Sequence, residues 1–85
     1  MVDADQMIVA LIRAWAVGRG VSVSTASRLL SGSGDTVDRM ERGMSLTARR
    51  AAAIIQKASD HWPTDLEWPP EIPRPEARPG RDEAA

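Results

Sequence analysis

Cysteine is absent from the chain, which excludes disulfides, thiolate chemistry and cysteine-ligated zinc. Tyrosine and phenylalanine are absent as well, so Trp15, Trp62 and Trp68 are the whole aromatic content. The single histidine, His61, offers neither a His-rich metal site nor a paired acid–base system. No cofactor is therefore expected, and no enzymatic activity. Long apolar runs are missing too: residues 7–17 are interrupted by Arg13 and are too short to cross a bilayer. The first residues, Met1-Val2-Asp3-Ala4-Asp5, carry acid where a secretory signal carries positive charge. A cytoplasmic protein with no membrane partner is expected. Nor is there an excess of positive charge, because 85 residues sum to a net charge of -1. That total argues against a protein that coats nucleic acid uniformly.

The charges that are present are unevenly placed. Between residues 13 and 57 lie Arg13, Arg19, Arg28, Arg39, Arg42, Arg49, Arg50 and Lys57, with only Asp35, Asp38 and Glu41 against them, a net of +5. The flanks hold nine acids and three arginines, a net of -6. All six prolines follow residue 62. Proline lacks the amide hydrogen and disfavours helix at the residue before it, so helices should end near Trp62. Residues 1–62 are expected to form the domain and residues 63–85 a Pro-rich tail. Within that tail, 63–75 should be extended, polyproline-like and docked, and 76–85 disordered. Beyond the Trp-Pro pairs at 62/63 and 68/69 no repeat is evident.

Periodicity predicts an all-α protein, a compact bundle of four short helices containing a helix-turn-helix. Asp3 or Asp5 caps a first helix to about residue 17, ended by Gly18 and Gly20. It is apolar almost all round, so it must be covered on more than one side. Ser22 or Ser24 caps a second helix to about Leu30, with Ala26, Leu29 and Leu30 inward. Asp35 caps a third, from which Val37 and Met40 point inward and which Gly43 closes. Ser45 or Thr47 begins a fourth, with Ala51, Ile54, Ile55, Ala58 and Trp62 as its core stripe. So few residues make a marginal core. Trp62, Leu66, Trp68 and Ile72 should therefore fold back over helix 1 or meet a second chain.

The most informative stretch runs from Ala16 to Gly32. Ala16 lets two helices approach, Gly20 permits a left-handed turn, Val21 plugs it, and Ser22 caps the next helix. The face left outward, Val23, Ser24, Ser27, Arg28 and Ser31, is small, polar, cationic and free of acid, as a helix lying in a major groove needs. This stretch resembles the DNA-binding headpiece of lactose-repressor-type bacterial regulators, whose motif runs A-x3-G-V-S-x-x-T-V-S-R. Ala16, Gly20, Val21, Ser22, Thr25, Ser27 and Arg28 match it, and Ala26 departs from its usual branched residue. The resemblance implies that Val23, Ser24 and Arg28 meet base edges, with Ser22, Thr25 and Ser27 nearer the backbone or the cap. Pointing outward, Ser27 is counted with the base readers. Arg19, Ser22, Thr25, Ser31, Arg39, Arg42, Arg49 and Arg50 are the candidates for phosphate contact.

A second register competes. The segment from Thr36 to Gly43, ending Glu-Arg-Gly, resembles the end of the recognition helix in phage-repressor (Cro-like) proteins. Residues 24–31 would then be the scaffold and 35–42 the reader. Asp35 and Asp38 would have to face phosphate, so electrostatics favours the first register. Over most of its length the chain also resembles short bacterial and phage-like proteins. They share S-R-L-x-x-G-S-G-D-T, T-x-R-R-A, S-D-H-W-P and W-P-x-x-I-P-R-P, matched here from Ser27, Thr47, Ser59 and Trp68. That likeness implies no activity.

The expectation is a small sequence-specific duplex-DNA-binding protein, a bacterial or phage transcriptional regulator without a sensor domain or small-molecule ligand. One short helix buries little surface on DNA, so a homodimer or a larger DNA-bound partner is expected. Val9, Trp62, Trp68 and Ile72 are its candidate interface. The alternative is a protein–protein adaptor that uses the Trp/Pro tail and never touches DNA.

Overall fold

A computed structural model describes residues 4–75, and the part of the tail expected to be disordered, 76–85, lies outside them. Four helices follow one another: α1 (Ala4–Arg19), α2 (Val23–Ser31), α3 (Thr36–Glu41) and α4 (Ala48–Asp60). The described residues contain no strand, so the protein is all-helical. Among them no single helix is long and apolar enough to cross a membrane.

The helix ends follow from residue chemistry. Helix α1 closes with a Schellman pattern: Gly20, at φ +71°, donates to the Val17 carbonyl and Val21 to that of Ala16. Helix α2 starts at Ser22, whose side chain accepts the Thr25 amide, and stops at Gly32. Helix α3 ends in the same way as α1, with Gly43 donating to Met40 and Met44 to Arg39. Thr47 caps α4 by accepting the Arg50 amide. At the start of α3 the expectation needs correction. Asp35 makes no side-chain cap; its carboxylate accepts instead from the Ser33 hydroxyl.

Helix α1 runs two residues beyond its expected end, straight through Gly18. A Cβ at Gly18 would lie 2.6 Å from Leu66 Cδ2 and 3.1 Å from Pro63 Cγ. Glycine here is thus the seat on which the tail rests, not a helix stop. The near-uniform apolarity of α1 is only partly used. Ile8, Leu11, Ile12, Trp15 and Ala16 are buried as one stripe against α2, α3 and α4, whereas Ala10 and Val17 (79%) stay exposed. Ala26 and Leu30 of α2, Val37 and Met40 of α3, and Ile54 and Ala58 of α4 complete the helical core.

The Trp/Pro segment folds in cis. Its sequence repeats a five-residue unit, Trp62-Pro63-Thr64-Asp65-Leu66 and then Trp68-Pro69-Pro70-Glu71-Ile72, and the structure repeats with it. In each unit the apolar residue's amide donates to the proline carbonyl (3.2 Å in both), closing a turn. In each, the indole Nε1–H donates to the carbonyl of that same apolar residue, 2.7 Å in both. Two tight turns therefore replace the expected polyproline run. The two indoles meet edge to face at 4.8 Å. The Arg74 guanidinium lies over Trp68 and donates to the hydroxyl and carbonyl of Ser59, while the Ser59 hydroxyl donates to the Pro75 carbonyl. Trp62 (8% exposed) and Ile72 (3%) are core residues of their own chain. Both must be withdrawn from the candidate partner surface.

Candidate nucleic-acid interface

Helix α2 follows α1 after the three residues Gly20-Val21-Ser22, and the two axes differ in direction by 113°. A short Gly-containing turn and a crossing of this size are the geometry of a helix-turn-helix. Packing then divides α2 lengthwise. Ala26, Ser27 and Leu30 are buried, Val23 and Ser31 are half-buried, and Ser24, Arg28 and Leu29 are exposed, with Thr25 half-buried beside them. No acid lies on the helix. Arg28 makes no hydrogen bond or ion pair with another described residue. The Ser22 hydroxyl, at the cap, also donates to Thr25 Oγ1 at 3.0 Å.

Three expectations for α2 are corrected by this packing. Ser27 does not face outward: it is wholly buried, and its hydroxyl donates to the Ser33 carbonyl at 2.7 Å. The Ser31 hydroxyl also turns into the α2–α3 connection, where it contacts the Ser27 and Ser33 carbonyls and Thr36 Oγ1. Leu29, expected inward with Ala26 and Leu30, is 46% exposed. For the two serines the reason is shared: the Ser33 carbonyl, in the connection between α2 and α3, accepts from both hydroxyls. Leu29 is not among the buried residues of the core. Gly34 sits close to Ser24, with 3.3 Å between its virtual Cβ and Ser24 Oγ. A larger residue at 34 would crowd the exposed serine.

Helix α3 presents a different surface. Asp35, Asp38, Arg39, Glu41 and Arg42 are exposed, while Thr36, Val37 and Met40 are buried. Its charges are largely compensated within the protein: Arg42 pairs with Asp38 at 3.2 Å, and Glu41 with Arg13 of α1. The Ser33 hydroxyl holds the Asp35 carboxyl below its ordinary pKa of 3.8, and the positive charges of Arg39 and Arg42 act in the same direction. Of the remaining candidates, Arg49 and Arg50 stand exposed in the first turn of α4 and pair with no other described residue. Arg19 is already engaged. Its guanidinium lies 5.3 Å from the Trp15 ring centroid and donates one hydrogen bond, to the His61 carbonyl at 2.8 Å, so it is held beside α4 with its other donors unused. Val9 is half-buried against the core, and Trp68 is half-buried beneath Arg74.

No group of three or more His, Asp or Glu among the described residues could hold a metal ion. No family model, curated protein or solved structure matches the chain. Sequence reasoning missed the exposure of Leu29, because its spacing from Ala26 is that of a core stripe. The orientation of α2 follows from its packing against α1, α3 and α4, which the spacing does not reveal.

Proposed function

We propose that this chain is a helix-turn-helix module that binds duplex DNA, with Ser24, Thr25 and Arg28 of α2 turned to the major groove. The observation that carries this reading is the acid-free outer face of α2 with Arg28 unpaired among the described residues, set after a three-residue turn at 113° to α1. Such a helix can enter a groove without desolvating a carboxylate against phosphate. Arg49 and Arg50 are cations left free to meet the backbone. The activity is that of a transcriptional regulator acting as a dimer or on a larger DNA-bound complex, since α2 alone covers too little surface for tight binding.

A second reading keeps one observation in its favour. Helix α2 packs against α1, α3 and α4, whereas α3 packs on α1 and α2 and touches α4 at most slightly, as a protruding reader helix would. The mixed charge of α3 weighs against it. The adaptor reading has less support, because Trp62 and Ile72 are buried in the chain itself and both tail indoles donate internally.

Selection of duplexes from a random pool, followed by anisotropy titrations, tests the proposal. Arg28→Ala should lower affinity for the selected site about ten- to hundredfold and relax preference at one position, whereas Arg49→Ala should weaken all duplexes alike. If Asp38→Arg re-specifies the selected site and Ser24→Arg does not, α3 is the reader. Absence of any duplex binding at low salt overturns the regulator function itself.

A further inference from the structure

A cleft of about 400 Å³ opens where the C-terminal ends of α1 and α4 meet the flank of α2, and it is lined by Trp15, Arg19, Val21, Leu29, Leu30, Lys57 and His61. Its size falls within the range of small-molecule sites. The walls are apolar apart from Arg19, Lys57 and His61, and among the described residues no carboxylate lines them. Leu29 forms part of that wall while remaining 46% exposed, an apolar side chain that the fold leaves uncovered beside two cations.

The two cations differ in a useful way. Arg19 is held in place by the face of Trp15 and by one Nη2 bond to the His61 carbonyl, which leaves most of its five N–H donors unused. The Trp15 indole donates to the same carbonyl at 3.2 Å, so indole and guanidinium are fixed together. A pre-positioned guanidinium loses little freedom when it accepts a ligand. Lys57 is exposed and unpaired among the described residues, and it supplies a mobile second charge.

We infer that this cleft binds a small organic carboxylate with an apolar body, its head group on Arg19 and Lys57 and its body against Trp15, Val21, Leu29 and Leu30. Charge complementarity selects an anion, and the apolar wall selects against inorganic ones. Residues 76–85 read Glu-Ala-Arg-Pro-Gly-Arg-Asp-Glu-Ala-Ala, a stretch with no large apolar side chain. Composition alone gave no reason to expect a ligand; the exposed Leu29 beside an ordered arginine supplies one. The inference is independent of DNA binding.

The test uses the full chain and 4-phenylbutyrate, followed by NMR at the Leu29 methyls and the Trp15 indole N–H. Saturable shifts at both positions are expected. The neutral analogue 4-phenylbutyramide should bind roughly tenfold more weakly or worse, the scale of one lost charge-assisted hydrogen bond. Lys57→Gln, a change at an exposed helix position that leaves the core intact, should weaken the acid and leave the amide unaffected. Leu29→Asp should abolish both. Equal binding of acid and amide, shifts confined to other residues, or no saturation would each overturn the inference.

Discussion

The Trp–Pro segment and the outer face of α2 both stand out in the sequence, one through aromatics and prolines, the other through a serine-rich helix with an arginine. The structure treats them in opposite ways. In the segment, both indole N–H groups, both turn amides and the Arg74 guanidinium already have partners inside the chain. On α2, Arg28 has none among the described residues and Leu29 is only half covered. Residue type therefore does not separate a structural element from a binding one. What separates them is whether the donors and the apolar area are consumed on folding.

The sharpest way to break this contrast is Trp62→Ala. Trp62 is 8% exposed, donates to the Leu66 carbonyl and meets Trp68 edge to face. Its truncation should cost about 3–5 kcal/mol in urea denaturation, as large aromatic-to-alanine changes in cores do. Arg28→Ala should leave the same denaturation curve within about 0.5 kcal/mol, because nothing in the fold rests on it. Stability that is unmoved by Trp62→Ala would mean that the segment is a binding element after all.

A smaller effect examines how the segment is seated. Gly18→Val places a branched side chain where Leu66 Cδ2 and Pro63 Cγ already lie 2.6 Å and 3.1 Å from a Cβ. The expected loss is about 1–3 kcal/mol, the usual cost of overpacking, despite the gain in helix propensity. In a Leu66→Ala background the same substitution should cost less, since the atom that it strikes most closely is gone. Additive losses in the double variant would show that Leu66 does not rest on Gly18 in solution.

Much of the helical scaffold is legible in the sequence, because glycines at left-handed positions and Ser or Thr caps act locally. Gly20, Gly43, Ser22 and Thr47 end or begin helices for reasons contained in a few neighbouring residues. The stripes of α1 and α4 are legible on the same grounds. Three features depend on distant chain and are not: the continuation of α1 through Gly18, the burial of Ser27 and the exposure of Leu29. Gly18 reads as a breaker until Leu66, 48 residues on, is seen resting on it. Ser27 reads as an outward serine until its hydroxyl is seen to donate to the Ser33 carbonyl. The Trp–Pro repeat is visible as a pair of dipeptides, but its five-residue unit has meaning only once both turns are seen to close alike.

The smallest expected effect concerns the contrast between α2 and α3, and it is read by pH. With its pKa held below the ordinary 3.8, Asp35 stabilises the folded chain wherever it is ionised in both states. That contribution is fully present above about pH 4, near the unfolded carboxylate value, and is lost as pH falls through the lowered folded value. Because the group lies at the surface, the effect on stability is slight, and the carboxyl's own NMR titration is the better readout. Ser33→Ala should move the Asp35 midpoint upward more than Arg39→Gln does, since the hydroxyl is the main cause of the shift and the arginine charge is screened by solvent. If Arg39→Gln has the larger effect, Arg39 is bound to Asp35 as firmly as Arg42 is to Asp38. The face of α3 would then have no free cation to offer phosphate, and the reader would have to be α2.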